Sequence, residues 1–192
     1  NHALVDEVVI GCADEWREFL KAQVATLRST KPVFFVQPGE TRQFSIYNAL
    51  KFLKENGAVA DDVVIIHDAA RPLVSERLIR DCLRECEKAD GVLPVVPVKD
   101  TLYQSVDGKS ITSLLNRNEM FAGQAPEAFR FGRYMALHDM MSREELLKIN
   151  GSTEIAYKGG LNVKLIDGDA MNFKITTPED LYNFESIIDR NH

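Results

Sequence analysis

An acid and a base three positions apart, Asp68 and Arg71, follow directly on the apolar run Val63-Val64-Ile65-Ile66; His67 leads in, Ala69 and Ala70 stand between them and Pro72 closes the segment. A continuous β-branched run reads as a strand buried on both faces, and in open α/β sheets ligands sit just beyond the carboxyl ends of such strands. Asp68 is thereby expected at a catalytic rim. The two alanines let a ligand approach the main chain, while Pro72 pushes Arg71 towards an extended conformation. A plainer reading is equally open, in which Asp68 caps a turn and pairs with Arg71.

Two further segments invite the same question. Gly39-Glu40-Thr41-Arg42-Gln43-Phe44-Ser45 is a glycine turn running into a helix start with a hydroxyl one turn in. Backbone N–H groups at such a turn can read a base edge or an anion, although Thr41 could be no more than an ordinary cap. Lys174 alternates with Phe173 and Ile175, which places a cation on the opposite face of a short strand close to a helix start. It reads either as a phosphate contact or as a solvated lysine.

Several familiar chemistries find no support. The sequence has no G-x-G-x-x-G, no P-loop and no G-x-S-x-G, and no Ser/His/Asp order stands out. A net charge of -6 argues against a nucleic-acid or anionic-membrane binder, so a bound nucleotide would be a small one. Cys12, Cys82 and Cys86 read as reduced, mostly buried thiols of a cytoplasmic protein; Cys82 and Cys86 have helical spacing rather than that of a metal loop. No apolar run approaches the roughly 20 residues that span a bilayer.

The elements that must hold these residues alternate. Strands are predicted over residues 5–12, 33–36, 63–66 and 91–98. Between them come a helix capped by Asp14 with Trp16, Phe19, Leu20, Val24 and Leu27 at helical spacing, a helix from about Gln43 stopped by Gly57, and a Ser75-capped helix carrying Leu78, Ile79, Leu83 and Cys86. Such alternation predicts an α/β, Rossmann-like, mostly parallel sheet with helices on both faces, in a single domain over residues 1–192. The alternation breaks after Asp100. Residues 101–116 read as a hairpin around Asp107-Gly108-Lys109, and an isolated hairpin is barely stable in water. It is expected either to fold over its own sheet edge or to reach another subunit as an arm. A helix over 131–141 follows, with Met135, Met140 and Met141 as core filler. Strands over 162–166 and 172–176 precede a helix opened by Thr177 at the N-cap and Pro178 at its first position.

The ordered set formed by Gly39-Glu40-Thr41-Arg42 with Ser45, His67-Asp68-Ala69-Ala70-Arg71-Pro72, Val96-Pro97-Val98-Lys99-Asp100-Thr101, Arg117-Asn118, Gln124-Ala125-Pro126 and Asn172-Phe173-Lys174-Ile175-Thr176 resembles the cytidylyltransferases that act on sugar-alcohol phosphates. That family includes the methylerythritol phosphate enzymes of isoprenoid synthesis and the ribitol phosphate enzymes of teichoic-acid and capsule synthesis. The resemblance implies transfer of CMP from CTP to a polyol phosphate with release of pyrophosphate and help from Mg²⁺. It puts Gly39, Glu40 and Ser45 where the cytosine is read, Asp68 by the nucleotide and its metal, and Ala69 and Arg71 close to the nucleotide. Thr101 and Arg117 match positions that hold the polyol phosphate from the partner subunit of a homodimer, and Lys174 matches a lysine facing the reacting phosphates. Asp68 and Lys174 are thus the expected catalytic pair.

Three departures accompany the resemblance. The family's glycine-rich first loop, with a catalytic arginine and lysine, is expected before residue 1. Ala125 stands where the family usually has threonine, which is expected to remove a hydroxyl from the substrate side, and the Asn150-Gly151-Ser152-Thr153-Glu154 stretch occupies the place of a Thr-Asp-acid motif. Phe121-Ala122-Gly123-Gln124 leans towards the pentitol-phosphate members, Pro97-Val98-Lys99-Asp100-Thr101 towards the methylerythritol ones. A nucleotide-sugar glycosyltransferase would show a second acid in an Asp-x-Asp arrangement, which is not there; a non-catalytic nucleotide-binding homologue is the remaining alternative.

Overall fold

The computed structural model describes residues 2–189. Strands and helices alternate in its first half as β1 (Val8–Gly11), α1 (Asp14–Thr26), β2 (Val33–Val36), α2 (Arg42–Glu55), β3 (Val63–Ile66), α3 (Glu76–Cys86) and β4 (Gly91–Pro97). Side-chain caps start two of these three helices: Thr41 Oγ1 accepts from Phe44 N and Ser75 Oγ from Leu78 N, each satisfying a donor that a helix start otherwise leaves unpaired. Asp14 does not cap α1 as expected. It is the helix's first residue, and Ala13 precedes it without a side-chain bond.

The second half supplies β5 (Tyr103–Gln104), β6 (Ser113–Leu114), β7 (Phe121–Gly123), β8 (Glu127–Arg130), α4 (Phe131–Met140), α5 (Arg143–Leu147), α6 (Ser152–Lys158), β9 (Val163–Asp167) and α7 (Pro178–Asp189). The class is α/β, but the sheet is mixed rather than mostly parallel. β1 pairs with β2 and β4 with β9 in parallel, whereas β3 with β8, β4 with β8 and β4 with β7 are antiparallel. The difference has a local origin. β7 and β8 lie along one edge of β4, either side of Gln124-Ala125-Pro126, and β8 inserts between β3 and β4. Reading Glu-Ala-Phe-Arg, it has no β-branched residue to announce it. The strand expected over 172–176 does not form either: that stretch is an extended loop tied to the rim through Ile175 N and Ala70 O, 2.8 Å apart.

Side chains of neighbouring sheet residues go to opposite faces, and each face has its own core. Phe129 joins Ile46, Leu50, Phe131, Tyr134, Met135 and Ile155 under α2, α4 and α6. Ala128, one residue away, packs with Cys82, Cys86 and Val92 under α3. Helices thus cover both faces, and among the described residues none is long and apolar enough to cross a membrane. Burial pushes the Cys82 thiol up to about 12 and the Cys86 thiol to about 11, as expected of unreactive core thiols. Of the three methionines expected in the core Met135 is buried, but Met140 is 81% exposed because it falls on the last, outward turn of α4.

The hairpin pairs Tyr103 with Leu114 and Gln104 with Ser113. Its turn is closed by Asp107 Oδ1, which accepts from the amides of Lys109 and Ser110, and Gly108 adopts a positive φ of 68°. Tyr103, Val106, Ile111 and Leu114 are all more than half exposed, so the hairpin stands off its own sheet instead of folding over the edge.

Candidate active site

The carboxyl ends of β2 and β3 meet the N-terminus of α2, and that helix is anchored from below. Gln43 is buried; its amide Nε2 lies 2.6 Å from His138 Nε2, while His138 Nδ1 donates to Tyr134 O. This arrangement needs a neutral imidazole, and burial indeed lowers the His138 pKa. Tyr134 OH in turn donates to Ser152 O. The helix start is thereby fixed in orientation before any ligand arrives.

Above this anchor the glycine turn is locked. Gly39 N donates to Ser45 Oγ, which itself donates to Thr41 O, both at 3.0 Å. A Cβ at Gly39 would stand 2.2 Å from Phe44 Cβ, so no other residue fits the close approach. Glu40 points away from the turn's interior and pairs with Arg143 at 2.7 Å.

Arg42 is the hub of the site and was not among the residues singled out for chemistry. Its Nε and one terminal nitrogen both donate to Asp68 Oδ1, at 3.1 and 2.8 Å, and its other terminal nitrogen donates to Ser152 Oγ at 2.5 Å. Glu127 Oε1 lies 3.7 Å from the same guanidinium, and Thr153 Oγ1 donates to Glu127 Oε2. The second oxygen of Asp68 faces two more cations, Lys174 Nζ at 3.1 Å and Arg71 Nε at 3.7 Å. Burial alone would raise the Asp68 pKa; Arg42 and Lys174 overcome that and hold it below the ordinary carboxylate value. Glu127, more deeply buried, goes the other way: desolvation raises it despite Thr153 and Arg42.

Asp68, Arg71 and Lys174 therefore come together, as their types suggested, and Asp68 also pairs with Arg71 as the plainer reading had it. Arg71 is tied in three times more: its side chain donates to Asn172 O at 2.6 Å, its amide donates to Asp68 O at 2.9 Å and its carbonyl accepts from His67 Nε2 at 3.0 Å. Ala69 is exposed at the rim. Thr101 and Arg117 sit at the base of the hairpin, where Arg117 donates to Lys99 O; among the described residues no hydrogen bond or ion pair links either to Asp68, Arg71 or Lys174. Ala125 is only 3% exposed, so the hydroxyl missing there is lost from the interior and not from an open substrate surface. Its carbonyl accepts from Asn172 Nδ2, and Asn172 Oδ1 is left buried without a partner.

One acid framed by three cations on a rim of fixed backbone is suited to polyanionic chemistry: the cations can transfer to phosphate oxygens, and the acid is then free. Among the described residues no three His, Cys, Asp or Glu side chains gather as a metal cage. A single carboxylate is nevertheless enough for a divalent ion whose other ligands are substrate phosphates and water.

Known proteins are similar to this chain in sequence and in fold. The family model described as 2-C-methyl-D-erythritol 4-phosphate cytidylyltransferase (IspD) matches residues 1–190. A 2-C-methyl-D-erythritol 4-phosphate cytidylyltransferase of Trichormus variabilis is 33% identical over 94% of this chain and 76% of its own length. A ribitol-5-phosphate cytidylyltransferase of Streptococcus agalactiae serotype Ia is 30% identical over 98% of this chain and 79% of its own. The crystal structure of the Francisella tularensis 2-C-methyl-D-erythritol 4-phosphate cytidylyltransferase superposes with a TM-score of 0.81 at 26% identity, covering 97% of this chain and 82% of that one. The fold and the family match together are those of a nucleotidyltransferase of the cytidylyltransferase class. Within that class the chain belongs to the 2-C-methyl-D-erythritol 4-phosphate cytidylyltransferase family.

Proposed function

We propose that the protein transfers CMP from CTP to the phosphate of a sugar alcohol, either 2-C-methyl-D-erythritol 4-phosphate or ribitol 5-phosphate, and releases pyrophosphate. The observation that carries this reading is the cluster of Asp68 with Arg42, Arg71 and Lys174 at the carboxyl end of β3. In the reaction an oxygen of the acceptor phosphate attacks the α-phosphorus of CTP in line and pyrophosphate leaves, so the protein's task is positioning and charge neutralisation. Lys174 and Arg71, now on Asp68, are placed to shift onto phosphate oxygens, while Arg42 keeps Asp68 oriented from the other side. Mg²⁺, when bound, supplies further neutralisation of the triphosphate, and Asp68 is the side chain placed to hold it. The locked turn at Gly39, with Glu40 and Ser45, reads the cytosine.

Thr101 and Arg117 serve the acceptor phosphate of a neighbouring subunit in this reading, which explains why they stand apart from Asp68 in one chain. The projecting hairpin with its four exposed apolar residues supports an arm of this kind and a homodimer built on it. The test is pyrophosphate release with CTP and Mg²⁺, offering the two polyol phosphates in parallel. Release with one acceptor names the substrate; release with neither would refute the proposal.

A further inference from the structure

Three cations crowd Asp68, and they are not held alike. Among the described residues Lys174 has Asp68 as its one ion-pair partner, and Arg71 adds the main-chain carbonyl of Asn172. Arg42 alone of the three faces a second acid: Glu127 Oε1 lies 3.7 Å from the nitrogen that also donates to Asp68. At that distance there is an ion pair and no hydrogen bond. The donors of Arg42 go to Asp68 and Ser152, and Glu127 adds charge to a geometry already set.

Glu127 opens β8 in register with Ile66, the last residue of β3, two positions before Asp68. Its side chain shares a sheet face with that of Phe129, the face covered by α2 with Arg42 and α6 with Thr153. Only 8% of Glu127 is exposed, and a carboxylate so placed costs stability unless it is paired. The strand's next residues, Ala128 and Phe129, show that apolar side chains suit β8, so packing gives no reason for an acid here. Arg42 does give one. A triphosphate draws cations towards it. Arg42 is open enough to the rim to follow Lys174 and Arg71, its side chain being 36% exposed, whereas Glu127 is fixed behind it by Thr153.

We propose that Glu127 is a positioning residue: it keeps Arg42 on Asp68 while Lys174 and Arg71 transfer to the phosphates of the nucleotide. It rests on the cytidylyl-transfer reading of the site and acts only through Arg42. What the site needs is the charge and not this particular side chain. Thr153 Oγ1 donates to Glu127, so the carboxylate can be moved from position 127 to position 153 within one contact.

Steady-state kinetics and proton exchange at the Arg42 side chain, followed by NMR, test this. Glu127→Gln keeps the shape and still accepts from Thr153. Its kcat for pyrophosphate release is expected to fall about tenfold with no rise in KM for CTP, because a released Arg42 adds to phosphate binding. Combining Glu127→Gln with Thr153→Asp should bring kcat back to within about threefold of wild type, which a folding defect in β8 would not do. Thr153→Val leaves β8 intact, loosens the same carboxylate and should show the Glu127→Gln pattern at about threefold. In the ligand-free protein the Arg42 Nε–H should exchange about tenfold faster in Glu127→Gln and return towards wild type in the double variant. Wild-type kcat in Glu127→Gln, a double variant no better than the single one, or unchanged Arg42 exchange overturns the proposal. Wild-type protein that releases no pyrophosphate from CTP refutes the reading of the site instead, and the exchange measured without ligand still decides whether Glu127 holds Arg42.

Discussion

Asp68 is held by charge from both sides, Arg42 on one oxygen and Lys174 with Arg71 on the other, at 15% side-chain exposure. An amide in its place keeps the shape but can neither balance three cations nor hold a divalent ion. Asp68→Asn is therefore expected to cost about 2 kcal/mol or more of transition-state stabilisation, roughly a thirtyfold loss in kcat/KM, and unchanged turnover would remove Asp68 from the mechanism. The same residue sets a pH signature. Its folded pKa lies below its ordinary 3.8, so its contribution to stability is complete above that value and disappears as pH falls through the folded one. Denaturation midpoints measured from pH 6 down to about pH 2 should fall more steeply in the wild type than in Asp68→Asn. Glu127 has the opposite sign: its pKa is raised, so protonation on acidification relieves a buried charge.

At the scale of elements, the turn into α2 sets the position of Arg42 and of Gly39, Glu40 and Ser45, the groups proposed to read the cytosine. Gly39→Ala brings a methyl to 2.2 Å from Phe44 Cβ, against a helix that Gln43 and His138 hold in place. Overpacking of this kind costs about 1–3 kcal/mol, and the variant is expected to lose both stability in urea and affinity for CTP, read as a raised KM; a wild-type KM for CTP would separate the turn from nucleotide binding. Up to β4 these elements were legible, because apolar runs and Ser or Thr caps are local signals. β8 was not, because its Glu-Ala-Phe-Arg sequence owes its place to the edges of β3 and β4. The site divides in the same way. Asp68 and Arg71 stand three residues apart and were visible, whereas Arg42 reaches Ser152 across 110 positions, a pairing that no local spacing announces. Arg42 did lie inside the glycine-turn segment, and a cation next to a helix cap was the one signal that could have nominated it.

The whole molecule carries an arm that its own sheet does not cover. If that arm packs on a second copy, light scattering at assay concentration should give twice the mass of the chain, and the double substitution Ile111→Glu and Leu114→Glu should halve it with little change in circular dichroism. A strictly monomeric wild type would defeat the arm and, with it, the supply of Thr101 and Arg117 across an interface. The account as a whole rests on cytidylyl transfer, and pyrophosphate release by the protein from its complete reading frame is its most direct test. CTP with Mg²⁺ and either methylerythritol 4-phosphate or ribitol 5-phosphate should yield pyrophosphate with one acceptor, while ATP, GTP and UTP in place of CTP should yield little. Silence with both acceptors, or release that ignores the identity of the base, would contradict it.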